Sequence, residues 1–114
     1  MNITYHMVPK SYYEAHKGDA SYLPAAFADD GFIHCTDGEF MISQIAFRVF
    51  RELQEELWLF FIDKSRVKSA IRYDDKERLF PHIYGPLNWD AVVKVGAMVR
   101  DRKGDWIFPI NEKI

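Results

Sequence analysis

The sequence predicts an α+β domain, a twisted sheet accompanied by one long helix and several short ones. Segments with strand character recur along most of the chain, while only one stretch sustains helical periodicity. That stretch lies in the N-terminal half and does not alternate with strands, which argues against a doubly wound parallel sheet. A length of 114 residues suits a single domain spanning 1–114. A chain of this size buries roughly two thirds of its unfolded surface, so the core needs no disulfide or metal staple.

The first strand is read at Ile3 to Val8, where Ile3, Tyr5 and Met7 alternate with Thr4, His6 and Val8. Ser11 can cap a short helix through His16, which Lys17 and Gly18 would end. Tyr22 to Pro24 reads as extended, and Ala25 to Asp30 as a helical turn closed by Gly31. Phe32 to Thr36 is a second strand, placing Phe32, His34 and Thr36 on one face and Ile33 and Cys35 on the other. Thr36 or Asp37 then caps the long helix, from Gly38 to about Leu53. Its stripe of Met41, Ile42, Ile45, Ala46, Val49, Phe50 and Leu53 is core packing before it is anything else.

Leu57 to Ile62 is a continuous apolar run, as expected of a central strand covered on both faces. Ser65 to Ser69 reads as a helical turn and Ile71 to Asp74 as a further strand. Leu79 to Leu87 is extended, and Pro81 and Pro86 exclude it from a central ladder position. Ala91 to Val99 and Trp106 to Pro109 complete the strands, with Gly104 in the turn between them.

Composition narrows the function classes. The formal charge of −2, with acids and bases balanced, argues against nucleic-acid binding by bulk attraction, although a local phosphate-binding patch stays open. Cys35 is the only cysteine, which fits a reducing compartment. The N-terminus has no signal-peptide pattern, and the longest apolar run is far short of the ~20 residues that cross a bilayer. The expectation is a cytoplasmic protein without a membrane segment.

The chemistry-bearing residues are mainly histidines. His16 falls at a helix end, where an imidazolium suits the dipole, and reads as structural surface. His6, His34 and His82 lie in extended segments, each with a hydroxyl two residues away on the same face: Thr4, Thr36 and Tyr84. Each alone reads as an ordinary, partly buried side chain. Three such pairs converging in space would make a cleft. A metal would need two or three of them with a carboxylate, yet no HxH, HExxH or CxxC spacing occurs. Cys35, sharing a face with Ile33, reads as a buried structural thiol. Trp58, Phe60 and Phe61 read as core.

Three segments carry a resemblance. These are Ile3-Thr4-Tyr5-His6-Met7-Val8, Gly31-Phe32-Ile33-His34-Cys35-Thr36, and Leu79-Phe80-Pro81-His82-Ile83-Tyr84-Gly85-Pro86-Leu87. In this order and at these intervals the chain resembles the bacterial family filed as domain of unknown function 952, from Ile3 to about Trp106. That family is grouped with the ADP-ribosyltransferases. The resemblance therefore implies a split, twisted, mainly antiparallel sheet with a central cleft, in which relatives of that fold typically hold NAD.

What it implies for residues follows the same order. His6 would be the donor from the first strand, and His34 and Thr36 would pass along the cleft. His82 and Tyr84 would come from a later lining segment. Tyr73 and Asp74 stand where family members often carry an aromatic followed by glutamate; here the acid is shorter, and Glu77 is the other candidate. The same fold group contains RNA 2′-phosphotransferases, in whose scheme Arg48, Arg51 and Arg72 could hold phosphate. The expected function is an NAD- or ADP-ribose-related transferase or hydrolase, with NAD as substrate and His6, His34, Thr36 and His82 as catalytic residues. The alternatives are a non-catalytic module that binds a nucleotide or other small ligand, and a histidine-based metal site.

Overall fold

The computed structural model describes residues 2–109. Its main sheet has the order β1-β3-β6, from β1 (Ile3–Pro9), β3 (Leu57–Asp63) and β6 (Val92–Ala97). A second sheet has the order β2-β5-β4, from β2 (Ile33–His34), β5 (Pro81–Tyr84) and β4 (Ala70–Tyr73). All pairings in both are antiparallel, and β7 (Val99–Arg100) and β8 (Trp106–Ile107) make a separate small ribbon. The helices are α1 (Lys10–His16), α2 (Phe27–Asp30) and α3 (Glu39–Val49). This is an α+β architecture, as expected.

The apolar run of β3 does what its composition demands: it lies in the middle of the main sheet and is buried on both faces. Leu57, Leu59 and Phe61 point to one core, shared with Met7 of β1, Ile42 and Ala46 of α3, and Trp106 and Phe108. Phe60 and Ile62 point to the other, shared with Val8, Tyr22, Ile33, Cys35, Ile83 and Leu87. The molecule is therefore layered: α3 with the ribbon, then the main sheet, then the smaller sheet. The faces expected for β1 and for Ile33 and Cys35 are the observed ones, and the Cys35 thiol, buried, has its pKa pushed up.

Several boundaries differ from expectation. Helix α1 begins at Lys10 after Pro9, and Ser11 does not cap it; its N–H and Oγ both donate to Glu55. Strand β2 is only two residues long, because Thr36 leaves β5 to bridge with Tyr5 of β1. Neither Thr36 nor Asp37 caps α3. Gly38 occupies the cap with no side-chain bond, and Asp37 is held by Lys64 and Tyr73 instead. That helix also stops at Val49, short of Leu53.

The exclusion of the Leu79 to Leu87 segment from a central position is wrong. β5 is the middle strand of its sheet, because Pro81 is its first residue and Pro86 lies beyond its last. Between them, His82, Ile83 and Tyr84 keep every N–H available for the ladder. The expected strand at Ala91 to Val99 splits into β6 and β7 around Met98, whose N–H returns to the carbonyl of Leu57.

Candidate functional site

β1 is an edge strand of the main sheet. At Tyr5 its outward backbone groups pair with Thr36: Tyr5 N–H donates to the Thr36 carbonyl at 3.0 Å, and Thr36 N–H to the Tyr5 carbonyl at 2.8 Å. Alternation along an antiparallel strand gives Thr4, His6 and Val8 the bonds to β3 and turns Tyr5 and Met7 outward. The N–H and C=O of Met7 thus point away from the sheet, and among the described residues neither meets a partner.

They face a cavity of about 450 Å³, within the usual range for small-molecule sites. Its floor is β1 from Tyr5 to Pro9. One wall is the end of α3, with Ile45, Val49 and Phe50; the other is Tyr12, Tyr22 and the loop from Pro24 to Ala26. Asp30, His34 and Thr36 close one end. The lining is mainly apolar, with its polar groups few and mostly at that end.

His6 is the buried member of the site, 7% exposed. Its Nδ1 lies 2.7 Å from the carbonyl of His34, which can only accept, so Nδ1 carries the hydrogen. Nε2 then accepts from the hydroxyl of Tyr22, also at 2.7 Å. Burial is the main cause that lowers the His6 pKa to about 4, and the His34 carbonyl offsets it only in part. His6 is neutral at pH 7 and fully bonded. It ties β1 to β2 and to the Tyr22 segment, with both ring nitrogens engaged.

His34 differs in every respect. Its side chain is 59% exposed, and Nε2 donates to Asp30 at 2.9 Å; among the described residues Nδ1 meets no partner. The link is local: Gly31 closes α2 at φ 78°, a left-handed value that suits glycine, and folds the chain back so that Asp30 reaches the β2 ring.

The remaining expected residues divide into two groups outside the cavity lining. His82 and Tyr84 stand on the outer face of β5, and Nδ1 of His82 donates to Asp74 at 2.9 Å. The Tyr84 hydroxyl donates to the same carboxylate oxygen. These bonds, that of Tyr84 first, hold the Asp74 carboxyl below its usual range. Phe32 stacks on His82 at 3.9 Å, and the His34 ring stands edge-on 5.4 Å away. Tyr73 turns instead to Asp37 and Lys64. Burial would lower the Lys64 amine, but bonds to Tyr73 and Asp37 outweigh it and hold it above its usual value.

The structure therefore brings His6, His34 and Thr36 to one cavity, while His82, Asp74 and Tyr84 lie outside its lining, joined to it through the His34–His82 ring contact. Tyr73 lies elsewhere, and Arg51 stacks over Phe47 at the end of α3. Neither Asp74 nor Glu77 lines the cavity; Asp30 is the carboxylate that does. Only the His82 pair acts as the hydroxyl pattern foresaw, through Asp74. Thr4 Oγ1 is buried and, among the described residues, meets no partner, and Thr36 bridges to Tyr5 through its backbone N–H and C=O. Among the described residues, no group of three or more histidine, cysteine, aspartate and glutamate side chains is placed to hold a metal ion. Asp30, Tyr12 and Tyr22 were not foreseen. The Asp30-Gly31 pair before a short strand was the only local signal.

A family model described as protein of unknown function, DUF952, matches residues 7–95. The chain belongs to this family. The DUF952 match takes in β2 and β5 whole, with His34 and His82, while of β1 it includes only the end from Met7. The crystal structure of protein CC0527 from Caulobacter crescentus is similar over 99% of this chain and 100% of that one, with TM-score 0.83 and 20% identity. The solution structure of CC0527 is similar over 92% and 91%, with TM-score 0.74 and 22% identity. At such identities the likeness is one of fold. Among curated proteins, none matches the chain significantly.

Proposed function

We propose that this DUF952 domain is a small-ligand-binding module whose cavity takes a flat ring bearing a carboxamide, with NAD, or its nicotinamide part, as the ligand class. One observation carries the reading: Met7 offers one backbone donor and one acceptor, side by side, on the floor of an apolar cavity. A primary carboxamide would repeat there the two-bond pairing that Thr36 makes with Tyr5. The rings of Tyr12 and Phe50 give the walls an apolar surface for an aromatic partner. The resemblance of the sequence to proteins grouped with ADP-ribosyltransferases points to the same ligand class, as a fold-level analogy.

The test is a calorimetric titration with nicotinamide, nicotinic acid, NAD and ADP-ribose. Nicotinamide and NAD should bind, and nicotinic acid should be weaker by tenfold or more, since its carboxylate has no N–H for the Met7 carbonyl. Ala25→Trp, a change at an exposed position on the cavity rim, should abolish binding without unfolding the protein. Equal binding of acid and amide, or no binding of either nicotinamide or NAD, would sink the reading.

A second reading, an NAD- or ADP-ribose-related transferase or hydrolase, is favoured by Asp30 and His34. A carboxylate-held imidazole with a free nitrogen, at the cavity's polar end, is suited to activating water or an acceptor hydroxyl. Release of nicotinamide from NAD, lost in His34→Gln, would distinguish transfer from binding alone.

A further inference from the structure

The outer face of the smaller sheet carries a second arrangement, which shares His34 and Asp30 with the end of the cavity and runs away from it across β5 and β4. His34, His82 and Arg72 are aligned across β2, β5 and β4: His34 pairs in register with His82, and His82 with Arg72. Opposed residues in adjacent strands share a face, and here it is the face away from buried Ile33 and Ile83. Each imidazole is held by its own carboxylate, through opposite nitrogens. His34 gives Nε2 to Asp30 and His82 gives Nδ1 to Asp74, and among the described residues the other nitrogen of each ring, Nδ1 of His34 and Nε2 of His82, meets no hydrogen-bond partner. The two rings are 5.4 Å apart, and Phe32 stacked on His82 fixes that ring's plane. The Arg72 guanidinium lies over the Tyr84 ring at 5.2 Å, at the far end of the row.

We propose that this row is a metal-independent acid–base site that hydrolyses small phosphodiesters, with 2′,3′-cyclic nucleotides as the substrate class. Two tautomer-fixed histidines are the equipment for moving one proton onto a substrate and another off it, and a guanidinium beside them suits the phosphate. His34, the more exposed ring, takes a proton from water at Nδ1 as the water oxygen bonds to phosphorus. The P–O bond to one ribose oxygen breaks, its electron pair going to that oxygen, and the protonated Nε2 of His82 supplies the hydrogen. The product is a phosphate monoester, and exchange with solvent returns both rings to their starting states. Asp30 and Asp74 orient the rings and stabilise whichever is cationic. Other titratable groups acting on the pair are Tyr84, which donates to Asp74, Asp75, whose oxygens accept from Leu79 and Phe80 N–H, and buried His6, whose ring donates to the His34 carbonyl and is opposed by a charge on His34.

The experiment uses the intact protein in a chelating buffer, with 2′,3′-cyclic AMP as substrate and bis(p-nitrophenyl) phosphate as a comparison. Hydrolysis of the cyclic nucleotide should follow a bell-shaped pH profile, since one histidine must be neutral and the other protonated. His34→Gln and His82→Gln should each lower the rate on the order of a hundredfold or more. Arg72→Ala should act mainly through KM. p-Nitrophenolate leaves without needing a proton, so His82→Gln should retain most activity on the comparison substrate while His34→Gln loses it. Each variant is checked by its methyl proton spectrum; the exposed His34 side chain makes its replacement safe for the fold. No hydrolysis by wild type, a rate unchanged in His82→Gln, or activity only with an added divalent metal would each overturn the proposal.

Discussion

His6 shows how a residue acquires a role from neighbours that its own segment does not name. The alternation of β1 points to Thr4 as its hydroxyl partner, but the bonded hydroxyl belongs to Tyr22, from a loop sixteen residues on. No periodicity reports that pairing, because it depends on how the Tyr22 segment bridges to Leu87. Its consequence is a pH dependence with a definite sign. An unfolded chain titrates this imidazole near ~6.5, and the folded protein near about 4. Between those values the unfolded state binds more protons, so the contribution is complete above ~6.5 and is lost as pH falls towards 4. At its largest the difference is about 3 kcal/mol. Urea titrations at pH 7.5, 6 and 4.5 should show a steeper acid loss in wild type than in His6→Gln; equal slopes would refute the assignment. Tyr22→Phe, which leaves Nε2 buried without its donor, should cost about 1–3 kcal/mol at neutral pH.

At the scale of elements, β5 is where sequence reasoning both succeeded and failed. Its extended character was legible in the alternation of His82, Ile83 and Tyr84. Its central position was not, because Pro81 opens the strand and serves it through its carbonyl, while Pro86 lies beyond its end. The turn after the strand is more demanding than either proline. Gly85 has φ 153°, and a Cβ built there would come within 2.6 Å of Ser69 Oγ, which donates to the Pro86 carbonyl. Gly85→Ala should therefore cost about 1–3 kcal/mol, read as a lower thermal midpoint. Adding Ser69→Gly removes the contact but leaves the backbone strain, so the double variant should recover only part of the loss. Full recovery would mean that crowding, and not backbone conformation, reserves this position for glycine.

The whole molecule hangs on β3, whose apolar run was the clearest single message of the sequence. Coverage on both faces was legible there; what covers each face was not, since the smaller sheet is assembled from β2, β4 and β5, far apart along the chain. The candidate site inherits the same limit. The cavity opens where β1 lacks a neighbour beyond the Tyr5–Thr36 bridge, a vacancy that only the finished topology creates. Two cores meeting back to back on one strand should unfold together. Leu59→Ala on the α3 side and Ile83→Ala on the smaller-sheet side should each cost about 2–5 kcal/mol. Two of the three indole N–H signals serve as probes, one for each core: Trp89 donates to the Asp19 carbonyl beside the second core, and Trp106 to that of Phe50 beside the first. In urea both signals should disappear at a common midpoint in wild type and move together in each variant. If Ile83→Ala shifted only the Trp89 transition, the smaller sheet would be a separate folding unit. The His34–His82 row could then open independently of the cavity floor.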